Sequence, residues 1–256
     1  MSTIAKAAFA VQPFTLDQGV SHRAAIGLVV LATDHTIEHE WRNLLRLDGV
    51  GFYECRLANS PDISPETLAA MEKDIAASVA LIRPGERIDV VAFGCTSGAM
   101  VIGEEKVFER IREARPGVAC TTPITAALAG LRALGAKRIA LLTPYVRSVS
   151  EWMASYIEAR DIQVVKAGSF NHANDNEVAR IDAQSIRNAV LDLGSDDAVD
   201  AVFVSCTSLR VASQVTELEQ LLGKPVLSSN HAMAWHALRL GGVQDKVPHL
   251  GRLFDL

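Results

Sequence analysis

The chain has 256 residues, 49% apolar and 21% charged, with a formal net charge of −5. That suffices for one large domain or two lobes of ordinary size, and an acidic balance gives no electrostatic reason to expect nucleic acid or an anionic membrane as partner. No apolar run approaches the roughly 18–20 residues of a membrane span. The opening MSTIAKAAFAVQPF makes a poor signal peptide, so a cytoplasmic location is the expectation. Four cysteines without a C-x-x-C (Cys55, Cys95, Cys120, Cys206) read as free thiols in a reducing compartment, neither a disulfide scaffold nor a zinc knuckle.

Taken in order, short apolar runs rich in β-branched residues predict strands over 25–32, 50–57, 90–95, 118–121, 138–143, 163–168, 201–206 and 225–228. Helical patterns lie between them. Ser64-Pro65-Glu66-Thr67 places a cap residue before a proline at the first helical position. Leu68, Met71, Ile75, Val79 and Ile82 then form an apolar stripe at helical spacing. Such alternation predicts an α/β fold with parallel sheets. No segment is rich enough in Gly and Ser to be a flexible linker, so closely packed lobes are expected.

One phrase occurs twice. Asp89–Gly98 reads DVVAFGCTSG and Asp200–Leu209 reads DAVFVSCTSL. If Cys95 and Cys206 end equivalent strands, the chain consists of two similar, Rossmann-like lobes facing each other. The expected lobes are residues 1–122 with a returning C-terminal segment of about 230–256, and residues 123–229. Ligands of open parallel sheets bind beyond the carboxyl ends of the strands, where both cysteines are expected. A helix is predicted to start after each, capped by Thr96-Ser97 and Thr207-Ser208. The partial positive charge of a helix N-terminus would favour a thiolate and a ligand carboxylate. One thiol on each side of a small carboxylic acid suits proton removal on one face and return on the other, or thiol addition to an activated double bond. Neither needs a metal or an organic cofactor. Cys55 and Cys120 lack the hydroxyl pair at a helix start and read as core.

The chain resembles the Asp/Glu racemase superfamily, in the branch holding maleate cis-trans isomerase and arylmalonate decarboxylase. It is most similar to the maleate-isomerase-like proteins associated with ectoine degradation. Five motifs carry the resemblance in order: GLVVLATDHT from Gly27, FGCTSG from Phe93, LLTPY from Leu141, VSCTS from Val204 and PVLSSN from Pro225. The resemblance implies a pseudo-symmetric two-lobe α/β fold, two active-site cysteines in the isomerases and racemases, only the second in the decarboxylases, and no cofactor. It implies a small-molecule carboxylate as partner, with no nucleic acid and no membrane, and a homo-oligomer. Tyr145 matches an active-site tyrosine able to donate to a substrate carboxylate. Asn171, in Gly168-Ser-Phe-Asn171, falls where the isomerases tend to place an amide. Where those enzymes read like P-S-S-N-T, this chain has Asp34, which when ionised only accepts hydrogen bonds. That departure puts maleate in doubt and points to a substrate with nitrogen near the reacting carbon, such as an acylated 2,4-diaminobutyrate. The alternative reading of Asp34 is a cap on the helix beginning near Ile37.

His35 and His39 stand four apart but lack a third ligand. His231 and His236 do not share a face, and His172 neighbours the expected site loop. No phosphate-cradling glycine motif follows the first strand. The leading expectation is a cofactor-independent isomerase or racemase of a small carboxylic acid, with an arylmalonate-type decarboxylase or a non-catalytic two-lobe carboxylate binder as alternatives.

Overall fold

Among the described residues, eight strands form two four-stranded parallel sheets, and all eight were predicted from the sequence. The computed structural model describes residues 10–256; the opening residues 1–9 of the stretch read for targeting lie outside them. β1 (Ala24–Leu31), β2 (Val50–Leu57), β3 (Val90–Gly94) and β4 (Ala119–Thr121) pair in the order β2-β1-β3-β4. β5 (Arg138–Tyr145), β6 (Gln163–His172), β7 (Ala201–Val204) and β8 (Val226–Ser228) repeat that order as β6-β5-β7-β8. β1 and β7 are buried at every residue, as expected for parallel strands covered on both faces. The edge strand β6 instead alternates exposed and half-buried residues.

The connecting helices are α1 (Ile37–Leu44), α2 (Pro65–Ala69), α3 (Ile75–Ala80), α4 (Thr96–Ile102), α5 (Glu104–Ala114), α6 (Pro123–Ala133), α7 (Arg147–Glu158), α8 (Asp175–Val178), α9 (Ala183–Gly194), α10 (Val215–Leu222) and α11 (Ser229–Leu240). α2 starts with the capping box foreseen at Ser64, whose hydroxyl accepts from the Thr67 N–H. The predicted stripe from Leu68 to Ile82 is buried, yet the helix over it is broken, because a 3-10 turn at Glu72–Asp74 separates α2 from α3. α6 and α11 follow the equivalent strands β4 and β8 and pack against each other. Their starts are capped alike, by Thr122 accepting from the Thr125 N–H and Ser228 accepting from the His231 N–H. α11 also packs on α1 and β3 of the first sheet. Among the described residues no helix is long and apolar enough to cross a membrane.

Polar ties stitch the halves together. The buried Glu40 on α1 accepts 2.8 Å bonds from the Val211 and Ala212 N–H groups, and a 2.7 Å bond from Asn230 Nδ2. Burial nevertheless pushes its carboxyl up to about 7, against the pull of those donors. The folded state therefore holds a proton that the unfolded chain has released, so this group's contribution to stability falls as pH rises from about 4.5 to about 7. Over that window the wild type is expected to lose about 3 kcal/mol relative to Glu40→Gln, measured by urea unfolding. Parallel profiles would contradict this. The buried His231 has the opposite sign. Burial holds it down to about 4, so stability is lost as pH falls from its ordinary 6.5 through that value.

Candidate active site

β1 and β3 are neighbours whose onward connections run to opposite sides of the first sheet, and β5 and β7 repeat this in the second. Crevices of this kind are where open α/β sheets hold ligands. Cys95 follows β3 and Cys206 lies two residues beyond β7, and the two face a common pocket with Thr96, Ser97, Tyr145 and Thr207. Cys95 is the N-cap of α4, with its Sγ accepting from the Gly98 N–H at 3.2 Å. The Cys206 Sγ accepts from the Ser208 N–H at 3.4 Å, and its backbone N–H donates to Ser229 Oγ at 3.0 Å. Thr96 Oγ1 lies 2.9 Å from the same Ser229 hydroxyl, so one serine at the start of α11 links both cysteine loops.

A strap closes this space. The Ile63 N–H donates to the Ala173 carbonyl and the Asp175 N–H to the Pro61 carbonyl, each at 3.0 Å, clasping one lobe to the other. Leu68 and Met71 complete the wall. The enclosed volume is about 20 Å³, room for a single water. A substrate of several heavy atoms needs more room than this.

Two expectations need correction. A turn at Thr207-Ser208 follows Cys206 where a helix was expected, and Cys95 itself caps α4 in place of Thr96-Ser97. Nor are the thiols acidic. Burial pushes Cys95 up to about 12, outweighing the Gly98 N–H bond, and the Asp175 charge adds to the rise. Burial and Asp175 raise Cys206 further, although the Tyr145 hydroxyl and the Ser208 N–H favour its thiolate. Cys55 and Cys120 are also held up by burial. In the ligand-free protein iodoacetamide at neutral pH is therefore expected to alkylate these four cysteines more slowly than a free model thiol, with rates climbing as pH rises. A free-thiol rate at pH 7 would contradict this.

Three expected substrate contacts lie outside the pocket lining. Asn171 is exposed, borders a separate surface hollow with Arg147 and Glu151, and has φ +58°. It sits where the β5–β6 register shifts, between the Thr143–Ser169 and Tyr145–His172 pairs. Asparagine tolerates that left-handed backbone, so its identity is explained by the bulge. Ser208 is buried and donates its hydroxyl to Asp175 Oδ1 at 2.8 Å. Asp34 is buried, and its Oδ1 accepts from the Thr36 and Ile37 N–H groups at 2.7 and 2.8 Å, capping α1. Its Oδ2 makes no hydrogen bond among the described residues. Burial raises its carboxyl above the ordinary value.

Asp175, not singled out in the sequence, lines the pocket. Its signal was present in Asn174-Asp175, a cap and an acid just past a strand end, with Asn174 accepting from the Asn176 and Glu177 N–H groups at the start of α8. His35 is engaged across the lobes at 2.8 Å from Asn176 Oδ1, and the half-buried His172 faces Glu177.

Two parallel sheets presenting paired cysteines to one interlobe pocket define the class, a two-lobe α/β protein with a symmetric thiol cleft. The family model described as arylmalonate decarboxylase matches residues 52–254, and the chain belongs to this family. The maleate isomerase of Nocardia farcinica is 32% identical over 238 residues, 89% of this chain and 94% of that one. The arylmalonate decarboxylase of Bordetella bronchiseptica is 37% identical over 147 residues, which span 57% of this chain and 61% of that protein. A solved structure of the Nocardia farcinica maleate cis-trans isomerase, a Cys-to-Ser mutant with a covalently bound succinylcysteine intermediate, matches with TM-score 0.82 and 30% identity over 91% of this chain and 98% of its own. The resemblance to the branch of maleate isomerase and arylmalonate decarboxylase, and the α/β fold of two parallel sheets flanked by helices, are borne out.

Proposed function

We propose that the protein is a cofactor-independent isomerase that moves a proton between the two faces of a small carboxylic acid, using Cys95 and Cys206 as the acid–base pair. The observation carrying this reading is that two strand-end thiols from different lobes line one enclosed pocket. One thiolate takes the proton from the carbon next to the carboxylate, and the C–H electron pair moves into an enediolate. The opposite thiol then delivers its proton to the other face and is left as thiolate. Ser97 and Thr207, which line the pocket, and the N–H groups at the start of α4 would hold the carboxylate as charge gathers on it.

A second reading is supported by the covalent succinylcysteine of the Nocardia farcinica relative. Here one cysteine adds to an alkene, the central bond rotates, and the thiol leaves. Proton NMR in D2O separates the two, using an acylated 2,4-diaminobutyrate, maleate and an arylmalonate. Deuterium appearing at the α-carbon with loss of optical activity is the expected result. Maleate turning to fumarate without deuterium would establish the addition reading, and loss of CO2 from the arylmalonate would overturn both.

A further inference from the structure

Among the described residues, the pocket shared by the thiols is lined by two carboxylates, Asp62 and Asp175, and by no Lys, Arg or His. Asp175 is only 7% exposed. Its Oδ2 accepts from Thr33 Oγ1 at 2.7 Å and its Oδ1 from Ser208 Oγ at 2.8 Å. A carboxylate oxygen has two acceptor directions, so each keeps one free for a ligand. Near the same thiols Asp34 is buried, and its Oδ2 makes no hydrogen bond among the described residues. Arg56 does not neutralise it, because that guanidinium donates to the Leu31 and Asp34 carbonyls and pairs with Glu38.

A dicarboxylate entering such a pocket brings like charge to a group already removed from water, the arrangement that low-dielectric sites penalise most. A ligand carrying one ammonium group restores the balance. We infer that the pocket takes an amino carboxylic acid whose ammonium is held by Asp175, making Asp175 the specificity-determining residue that sets this site against dicarboxylates. This rests on the thiol pocket being the substrate site proposed above.

The charge selectivity of the pocket is measured without turnover by labelling its cysteines with two small reagents, 2-aminoethyl and 2-sulfonatoethyl methanethiosulfonate. Rates at Cys95 and Cys206 are read by peptide mass spectrometry and divided by the rates of a free model thiol. The cationic reagent is expected to be favoured by about tenfold or more in the wild type. Asp175→Asn should bring the ratio to within about threefold of one, and Asp175→Glu, which keeps the charge, should preserve it. A wild-type ratio near one, or one unchanged in Asp175→Asn, overturns the assignment. The wild-type ratio decides even if the amide variant fails to fold. Selectivity without racemisation of any amino acid would leave the cation-selective pocket standing and sink the isomerase. Racemisation without selectivity would do the reverse.

Discussion

Replacing either Cys95 or Cys206 by alanine is expected to lower turnover about 10³-fold, while the melting temperature stays within a few degrees of wild type. The expectation follows from placement. Both side chains are buried at the pocket wall, 5% and 3% exposed, so no water-borne base can take their place on either face of a bound carbon. Truncating one small buried side chain costs only about 1–2 kcal/mol of stability, and the backbone that shapes the pocket does not depend on sulphur. The effect must also be symmetric. A decarboxylase of the kind the resemblance implies, with one essential cysteine, would lose activity in Cys206→Ala and keep it in Cys95→Ala. Kinetics of the two variants beside wild type, with unfolding followed by circular dichroism, give the answer.

The second large effect comes from a glycine. A Cβ placed on Gly98 would lie 2.6 Å from Met71 Cε and 2.8 Å from Cys95 Sγ. The methionine end is flexible and can retreat. The sulphur is held by the Gly98 N–H, and turning it away breaks that bond. Gly98→Ala is therefore expected to cost about 10² in turnover through a misplaced thiol, with little loss of stability. Gly94→Ala is the contrasting case. Its Cβ would meet the Val29 carbonyl oxygen at 2.7 Å and Ile37 Cδ1 at 3.0 Å. Backbone cannot rotate aside, so β3 must shift, and a loss of about 2–3 kcal/mol is expected in urea unfolding. Full activity in Gly98→Ala would show that the thiol position read here is not the working one.

The sheets were legible in the sequence because parallel strands buried on both faces are written as unbroken apolar runs. Their division into two similar halves followed from the repeated phrase around Cys95 and Cys206. The misses share a cause: burial and backbone irregularity leave little trace in a string of residues. β6 was expected to stop at Gly168 and runs to His172, because its last exposed positions, Ser169 and Asn171, are polar and the bulge at Asn171 breaks the alternation. The polar residue that follows β6 at the pocket is Asp175, and Asn171 lies outside it. The thiol prediction failed for a related reason. A helix start after Cys95 can be read from Thr96-Ser97-Gly98, whereas the depth at which the sulphur sits cannot, and depth decides its pKa. Asp34 was read both ways in the sequence. In the structure one oxygen caps α1 and the other makes no hydrogen bond among the described residues.

That the thiols serve opposite faces of one carbon is tested most directly by α-proton exchange in D2O with Cys95→Ser and Cys206→Ser, each given the separate enantiomers of the amino acid that the wild type racemises. Each variant should wash deuterium into one enantiomer only, the two should choose opposite hands, and neither should racemise. If either variant exchanges both enantiomers, or keeps racemising, the two-thiol account is contradicted.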